Sequence, residues 1–439
     1  MSDMTPAVGY TEMRDSGFPD IGCVPSAWSI MKVKHIFDVI CGATPKENPE
    51  NWDGNIPWIG PSDMPMTGTI EHGKRFISEL GYASCGTTLV PQNSIIISTR
   101  APIGKICIAA NRLGTNQGCK ALVPRNKSIN NRFFAYYLRS IIERLEVDGT
   151  GTTFKELSTS KLLNEPLIAP PISEQSAIAA YLDTQCAKID EIIAEAKASI
   201  EDYKQWKASI IYEAVTKGLD PNAEMKDSGI EWIGEIPKEW LVTKMRKVAS
   251  FYNGDRTSRY PKPDDFVVAG VPFINSTNLN GDTLNMTSCK YITEEKYNSL
   301  SGTKLRPNDI VYCLRGSVGK CAINTTLQRG TVASSLMSIR AERINPYFLL
   351  FVLLSDVISR QTGVYINGTC AANLSAENVG GFAVPFPPAQ EQGQIAECLM
   401  RKGAMIDELI ADKSKFIANL DTYKKSLIYE VVTGKRRVC

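Results

Sequence analysis

Apolar side chains recur at alternating intervals of four and three residues at Leu182, Cys186, Ile189, Ile193, Ala196, Ile200, Tyr203, Lys207, Ile210 and Ala214, with only Lys207 charged. A seam sustained over several heptads predicts a long helix packed against a partner. The pattern returns 217 residues later at Leu399, Gly403, Ile406, Ile410, Lys413, Ile417, Leu420, Lys424, Leu427 and Val431. Pro171 and Pro388 stand just before the two helices, and Gly218 and Gly434 just after them as C-caps. Each helix of about 44 residues would be roughly 65 Å long at 1.5 Å per residue. Such a helix buries its stripe only with company, and its own copy is the expected partner. Lys207 and Lys424 either fix the register of that pair or carry their charges out to solvent on apolar stems. Gly403 should loosen the second helix by roughly 1 kcal/mol relative to alanine.

The rest of the chain repeats too. Asp15-Ser16-Gly17, Ile21-Gly22, Pro25 and Trp28 return as Asp227-Ser228-Gly229, Ile233-Gly234, Pro237 and Trp240. Pro57-Trp58-Ile59 matches Pro272-Phe273-Ile274, and Arg100-Ala101-Pro102-Ile103-Gly104-Lys105 matches Arg315-Gly316-Ser317-Val318-Gly319-Lys320. Gly151-Thr152 and Leu157-Ser158 match Gly368-Thr369 and Leu374-Ser375, and Pro170-Pro171 with Glu174-Gln175 matches Pro387-Pro388 with Glu391-Gln392. Likeness is patchy in the globular parts and dense in the helices. Short apolar runs at Ser94–Ser98 and Asp309–Cys313 predict strands, while Tyr136–Leu145 and Pro346–Ile358 carry helical spacing. The expected fold class is α/β (α+β): two globular domains per chain in pseudo-twofold repeat, separated by two long antiparallel coiled-coil helices. The boundaries read as 1–169 for the first domain and 170–217 for the first helix. A polar linker (Lys217–Asp227) and the second domain then occupy 218–386, with the second helix at 387–436.

Composition narrows the chemistry. The 439 residues hold 49 Lys+Arg against 47 Asp+Glu, a net charge of +2 that excludes a uniformly basic coat but not a local basic face. At 100–200 residues per domain, about two to four domains are expected. Two histidines, His35 and His72, disfavour chemistry built on a histidine cluster. The 12 cysteines include no C-x-x-C pair, which suits reduced, mostly buried thiols. Met1–Tyr10 lacks the basic and apolar regions of a signal peptide, and the longest apolar run, Phe348–Leu354, is far shorter than the roughly 20 residues of a membrane span. The chain reads as soluble and cytoplasmic.

Catalytic motifs do not assemble. Asn345-Pro346-Tyr347-Phe348 lacks the second proline of an amino-methyltransferase loop, and Phe386-Pro387-Pro388 lacks the leading Asn or Asp. Gly149-Thr150-Gly151 has no third glycine, and in Gly316-Ser317-Val318-Gly319-Lys320 the glycines are too close for a phosphate loop, with Cys321 where a Mg²⁺-binding hydroxyl belongs. A Mg²⁺-dependent nuclease can be written from Pro263-Asp264 with Glu294-Glu295-Lys296, yet Thr293-Glu294-Glu295-Lys296 reads more plainly as a helix start. No catalytic residue and no metal ligand is assigned. A helical adaptor that binds proteins and no DNA is the other alternative.

The order of domain, helix, domain, helix, with Asp227-Ser228-Gly229-Ile230-Glu231-Trp232-Ile233-Gly234, the Pro-Pro…Glu-Gln helix entries and the Arg-x-x-x-Gly-Lys elements, resembles the DNA specificity subunit of type I restriction-modification systems. The resemblance runs from about Asp15 to Gly434. It departs locally where Phe18-Pro19-Asp20 replaces Ile230-Glu231-Trp232. The resemblance implies that the globular domains are target recognition domains and that the antiparallel helices are a spacer. It further implies a non-catalytic subunit of a type I site-specific deoxyribonuclease and adenine methyltransferase complex. Its partners would be double-stranded DNA, methyltransferase subunits (two are expected), restriction subunits where encoded, and no membrane. S-adenosylmethionine, ATP and Mg²⁺ would belong to those partners, with no cofactor in this chain. Physically, an antiparallel pair relates its two readers as a duplex relates its strands, and half-sites on one face of B-DNA lie about 34–36 Å apart. Because the halves have diverged, an asymmetric bipartite target is expected.

Candidate DNA contacts follow from residue chemistry. Arg100, Lys105, Arg315 and Lys320, in glycine-bearing loops, either neutralise phosphates or serve the shared fold. Base reading should fall to segments that differ: Lys74, Arg75, Asn116, Gln117 and Lys120 in the first half, and Arg256, Arg259, Lys262, Asn275, Asn278 and Ser335 in the second. Arg and Lys suit guanine, and Asn and Gln suit adenine, in the major groove.

Overall fold

The computed structural model describes residues 9–19, 21–100, 102–147, 156–366 and 373–438. Met1–Val8 of the N-terminal reading, Asp20, Ala101, Gly149-Thr150-Gly151, Thr152 and Gly368-Thr369 lie outside the described residues. The chain divides into two compact units, residues 1–196 with 415–439, and residues 197–414.

The continuous apolar run at Ile95–Ser98 becomes a strand buried on both faces. It lies inside a five-stranded sheet ordered Phe37–Cys41, Cys119–Pro124, Ile95–Ser98, Ile106–Ala109, Thr69–Ile70, antiparallel except for the last pair. Ile95 and Ile97 pack with Phe133, Phe134, Tyr137 and Leu138, whereas Ile96 packs with Ile59, Leu113 and Ala121 on the other side. A strand covered on both faces needs no polar alternation, which is why its sequence shows none. A second sheet, ordered Gly114–Thr115, Trp52–Ile59, Arg75–Ile77, completes the first unit's recognition half.

The second unit repeats this plan. Ile310–Cys313 lies inside a six-stranded sheet, flanked by Leu336–Ala341 and Cys321–Ile323, and a four-stranded sheet contains Val271–Ile274. Ile310 and Tyr312 face Phe348 and Leu349, while Val311 and Cys313 face Phe273 and Leu305. The expected helices are each broken in two: Asn131–Ser140 and Ile142–Val147 in the first unit, Pro346–Leu354 and Asp356–Ile366 in the second. Asn130 and Asn345 start them by accepting two backbone N–H bonds each, and Ser355 ends the Pro346–Leu354 helix in extended conformation. No single helix among the described residues is long and apolar enough to cross a membrane; the most apolar, Pro346–Leu354, is buried from Phe348 to Leu353.

The long helices run Ile172–Lys217 and Ala389–Val432. Gly218 and Gly434 follow them at φ +75°, a left-handed turn that only glycine adopts without strain. Seam residues Leu182, Ile189, Ile193, Leu399, Ile406 and Leu427 are buried, whereas Ile200, Ile210, Ile410 and Ile417 are half-buried. In the first unit Lys424 Nζ donates to Asp190 at 2.6 Å, and in the second Lys207 Nζ donates to Asp407 at 2.7 Å. The two charges therefore cross to the other helix at fixed positions, an antiparallel register mark repeated once per unit. Gly403 lies beside this lysine, and a Cβ there would make an ordinary van der Waals contact with Lys207 Cε at 3.5 Å.

Why the Pro-Pro…Glu-Gln entries recur is visible in the hydrogen bonds. Trp28 Nε1 donates to Glu174 at 3.0 Å, and Trp240 Nε1 to Glu391 at 2.9 Å. Gln175, 3% exposed, accepts from Asn130 N at 2.8 Å and donates to Pro170 O at 2.8 Å. Gln392, 2% exposed, does the same with Asn345 N at 2.7 Å and Pro387 O at 2.8 Å. Each glutamine thus joins the start of a long helix to the cap of a core helix. The Asp-Ser-Gly motifs form matching turns, in which Gly17 N donates to Asp15 and Gly229 N to Asp227.

Candidate nucleic-acid interface

The Arg-x-x-x-Gly-Lys element is a hairpin turn. Lys105 O accepts from Ser98 N at 2.9 Å, Lys320 O accepts from Cys313 N at 2.8 Å, and Gly104 (φ +90°) and Gly319 (φ +87°) supply the left-handed corner. The lysine that comes next reaches back to one loop. Lys105 Nζ donates to Pro61 O at 2.8 Å and Met64 O at 3.2 Å, and Lys320 Nζ to Ser276 O at 3.3 Å, the position matching Pro61. This tether explains why both halves carry the lysine, and it assigns Lys105 to the shared fold; Lys320 remains exposed.

The arginine of the element behaves differently in the two units. Arg100 forms an isolated antiparallel bridge with Glu156 and a 3.2 Å ion pair with it. Arg315 forms the same bridge with Asn373, whose Oδ1 accepts from Arg315 Nε at 3.1 Å.

Several expected base readers are not available to DNA. Lys120 is buried, donating to Thr99 Oγ1 at 3.2 Å and Leu157 O at 2.8 Å, and burial lowers its pKa. Asn278 is fully buried because its side chain closes a turn, bonding Asn275 N and Asn285 O. Asn116 is half-buried and accepts from Gly118 N at 2.9 Å, and Asn275 accepts from Thr277 N at 2.9 Å. Residue type alone singles these positions out, but short polar side chains in loops more often brace turns. Arg75 lies 3.3 Å over the Trp52 ring with Glu47 at 3.1 Å, and that partner holds the Glu47 carboxyl below its ordinary pKa. Lys74, Gln117, Arg256, Arg259 and Lys262 are exposed. Arg259 Nη1 donates to Ser299 O, Thr44 donates to Gln117, and Ser335 is half-buried with its carbonyl accepting from Leu314 N.

The second unit also holds a cleft of about 550 Å³ lined by Tyr252, Asp255, Arg256, Lys304, Arg306 and Arg340. Arg340 pairs with Asp309 at 2.8 Å, and Lys304 sits 3.8 Å over the Tyr297 ring. Burial works against charge on Asp255, but hydrogen bonds from Thr257 and Ser301 overcome it and hold the carboxyl well below the usual range. Sequence reasoning misses Lys304, Arg306 and Arg340; the signal for the first two is that they flank Leu305 as a pair of cations, and Arg340 carries none. Among the described residues no three His, Cys, Asp or Glu groups gather to hold a metal ion. Of the residues in the nuclease reading, Lys296 pairs with the neighbouring Asp265 at 3.0 Å, Glu294 takes Arg329, and Asp264 and Glu295 face solvent.

Comparison with known proteins agrees with the duplicated geometry. The family model described as type I restriction modification DNA specificity domain matches twice, over residues 25–202 and 237–417. The chain is 27% identical to the type I restriction enzyme MjaIX specificity subunit of Methanocaldococcus jannaschii, across 98% of this chain and 97% of that one. It also resembles the EcoBI specificity subunit of Escherichia coli, at 24% identity over 72% and 68% of the two chains. In fold it matches the HsdS subunit of Thermoanaerobacter tengcongensis with TM-score 0.50, 16% identity and coverage of 94% and 98%. A chain from a structure of type I R-M complex assembly and conformational transition matches with TM-score 0.72, 15% identity and coverage of 94% and 99%. The matched family and these relatives support neither the nuclease nor the DNA-free adaptor. With one family domain in each half, the chain belongs to the type I restriction-modification DNA specificity family.

Proposed function

We propose that this chain is the reader of a type I restriction-modification complex, and the twofold match to the specificity family along one duplicated fold carries the reading. It binds double-stranded DNA sequence-specifically at an asymmetric bipartite target and assembles with the methyltransferase and restriction subunits. It does no chemistry itself. Each recognition half presents the same scaffold with different surface residues, which suits two unlike half-sites. S-adenosylmethionine, ATP and Mg²⁺ belong to the partner subunits in this reading, and the complex works in the cytoplasm.

Two methyltransferase subunits fit the chain best. The long helices leave a second apolar stripe exposed, at Ile192, Phe416 and Tyr423 in the first unit and at Trp206, Met405 and Leu409 in the second. Ile192 corresponds to Leu409 and Trp206 to Tyr423 across the repeat, so each unit offers one equivalent patch. Exposed apolar residues in register on a helix pair favour a docked partner.

Methylome sequencing of a host expressing this chain with its methyltransferase tests the reading. One split motif with unlike halves is expected, and no split motif overturns it. Native mass spectrometry of the same complex should count two methyltransferases, and Trp206→Asp with Leu409→Asp should leave one.

A further inference from the structure

The two copies of the hairpin arginine sit in the same backbone geometry but in opposite electrostatic settings. At the bridge position the first unit has Glu156, which neutralises Arg100 at 3.2 Å, and the second has Asn373, which offers Arg315 a neutral oxygen at 3.1 Å. A second exchange adds to the first. Position 44, a threonine bound to Gln117, corresponds to Arg256 in the second unit. Arg256 Nε donates to Ser334 O at 3.2 Å, while Leu314 N, next to Arg315, donates to Ser335 O at 2.8 Å, so the Arg256 side chain and the backbone beside Arg315 adjoin one short segment. Burial and then the Arg315 charge press the Arg256 pKa below its ordinary value. Among the described residues neither arginine has a carboxylate partner.

We propose that Arg256 and Arg315 form a phosphate-binding site that grips the DNA backbone in the second recognition half, and that Glu156 disables the matching position in the first. The proposal rests on the DNA-reading function above. Two like charges held beside one segment raise the energy of the free protein, and an anion relieves it. A backbone phosphodiester supplies that charge and two acceptor oxygens suited to guanidinium forks. A guanine edge offers acceptors but no charge, so it leaves the repulsion in place. The two half-sites are therefore gripped with unequal electrostatic strength.

The test is the salt dependence of binding by the chain with its methyltransferase, measured by fluorescence anisotropy on a 50-base-pair duplex carrying the methylome-derived site. Arg256→Ala and Arg315→Ala should each lower the slope of log affinity against log salt by about one, and Asn373→Glu should do the same by recreating the first unit's ion pair. Arg100→Ala combined with Glu156→Gln, which removes a pair of no net charge, should leave the slope unchanged. The methylated motif should be identical in all variants. Unchanged slopes in the second-unit variants, an equal loss in the Arg100 variant, or a motif altered at one base would each overturn the proposal. Wild-type binding with those results leaves the DNA-reading function intact, whereas failure of the wild-type complex to bind sinks both.

Discussion

Replacing Gln392 by methionine keeps a side chain of similar length but removes both of its hydrogen bonds. Gln392 is 2% exposed, and its amide is shared between Asn345 N at 2.7 Å and Pro387 O at 2.8 Å. Truncating one partner leaves the other donor or acceptor unsatisfied, at about 1–3 kcal/mol for each buried group. Asn345 is half-buried and Pro387 buried, so the donor recovers part of its loss to water and the carbonyl does not. The expected cost is about 2–4 kcal/mol, which lowers the melting temperature of a unit of roughly 200 residues by about 5–15 °C. Calorimetry is the assay, because two units need not melt as one transition. Gln175→Met removes the equivalent bonds in the first unit and should displace that unit's melting instead. A drop of less than about 2 °C for both variants would refute the claim that these glutamines clamp the long helices to the core helices.

Two further outcomes arise from burial and from length. Burial pushes the thiols of Cys107, Cys119 and Cys321 up to about 12 from a usual value near 9, so the fold favours their neutral form. That contribution is complete below about pH 9 and is lost as pH rises from 9 towards 12, so urea midpoints should fall over that window, while at pH 8 an alkylating agent labels exposed Cys23 and Cys41 first. Inserting one apolar-patterned heptad after Ile200 and one after Ser414 lengthens each helix by about 10 Å without breaking the seam. The unspecified gap in the methylated motif should grow by about three base pairs at roughly 3.4 Å each, and an unchanged gap in an active complex would show that the helices do not set it.

The long helices, their caps and the duplicated strands are legible in the sequence because periodicity reports burial directly: Leu182, Ile189, Leu399 and Ile406 are buried where the seam puts them. The breaks at Ile141 and Ser355 are not legible, since each lies inside a stretch whose helical spacing of apolar residues reads as one helix. The interface is harder still. Residue type alone cannot separate Lys120 and Asn278, which are buried and bonded, from Arg256 and Lys262, which are exposed.

A sharper signal lies in the comparison of the two halves at one position. Elements identical in both copies brace the scaffold: Trp28 and Trp240 on their glutamates, Gln175 and Gln392 on their caps, Lys105 and Lys320 on one loop carbonyl. Such residues cannot distinguish two half-sites, because they are the same in both. The informative positions are those where an identical backbone bridge carries a different charge, as at Glu156 against Asn373, and where a matched loop position does, as at Thr44 against Arg256. In a duplicated reader, the repeat acts as its own internal control: what is shared holds the fold, and what is exchanged at a fixed geometry is where the grip on DNA has room to differ.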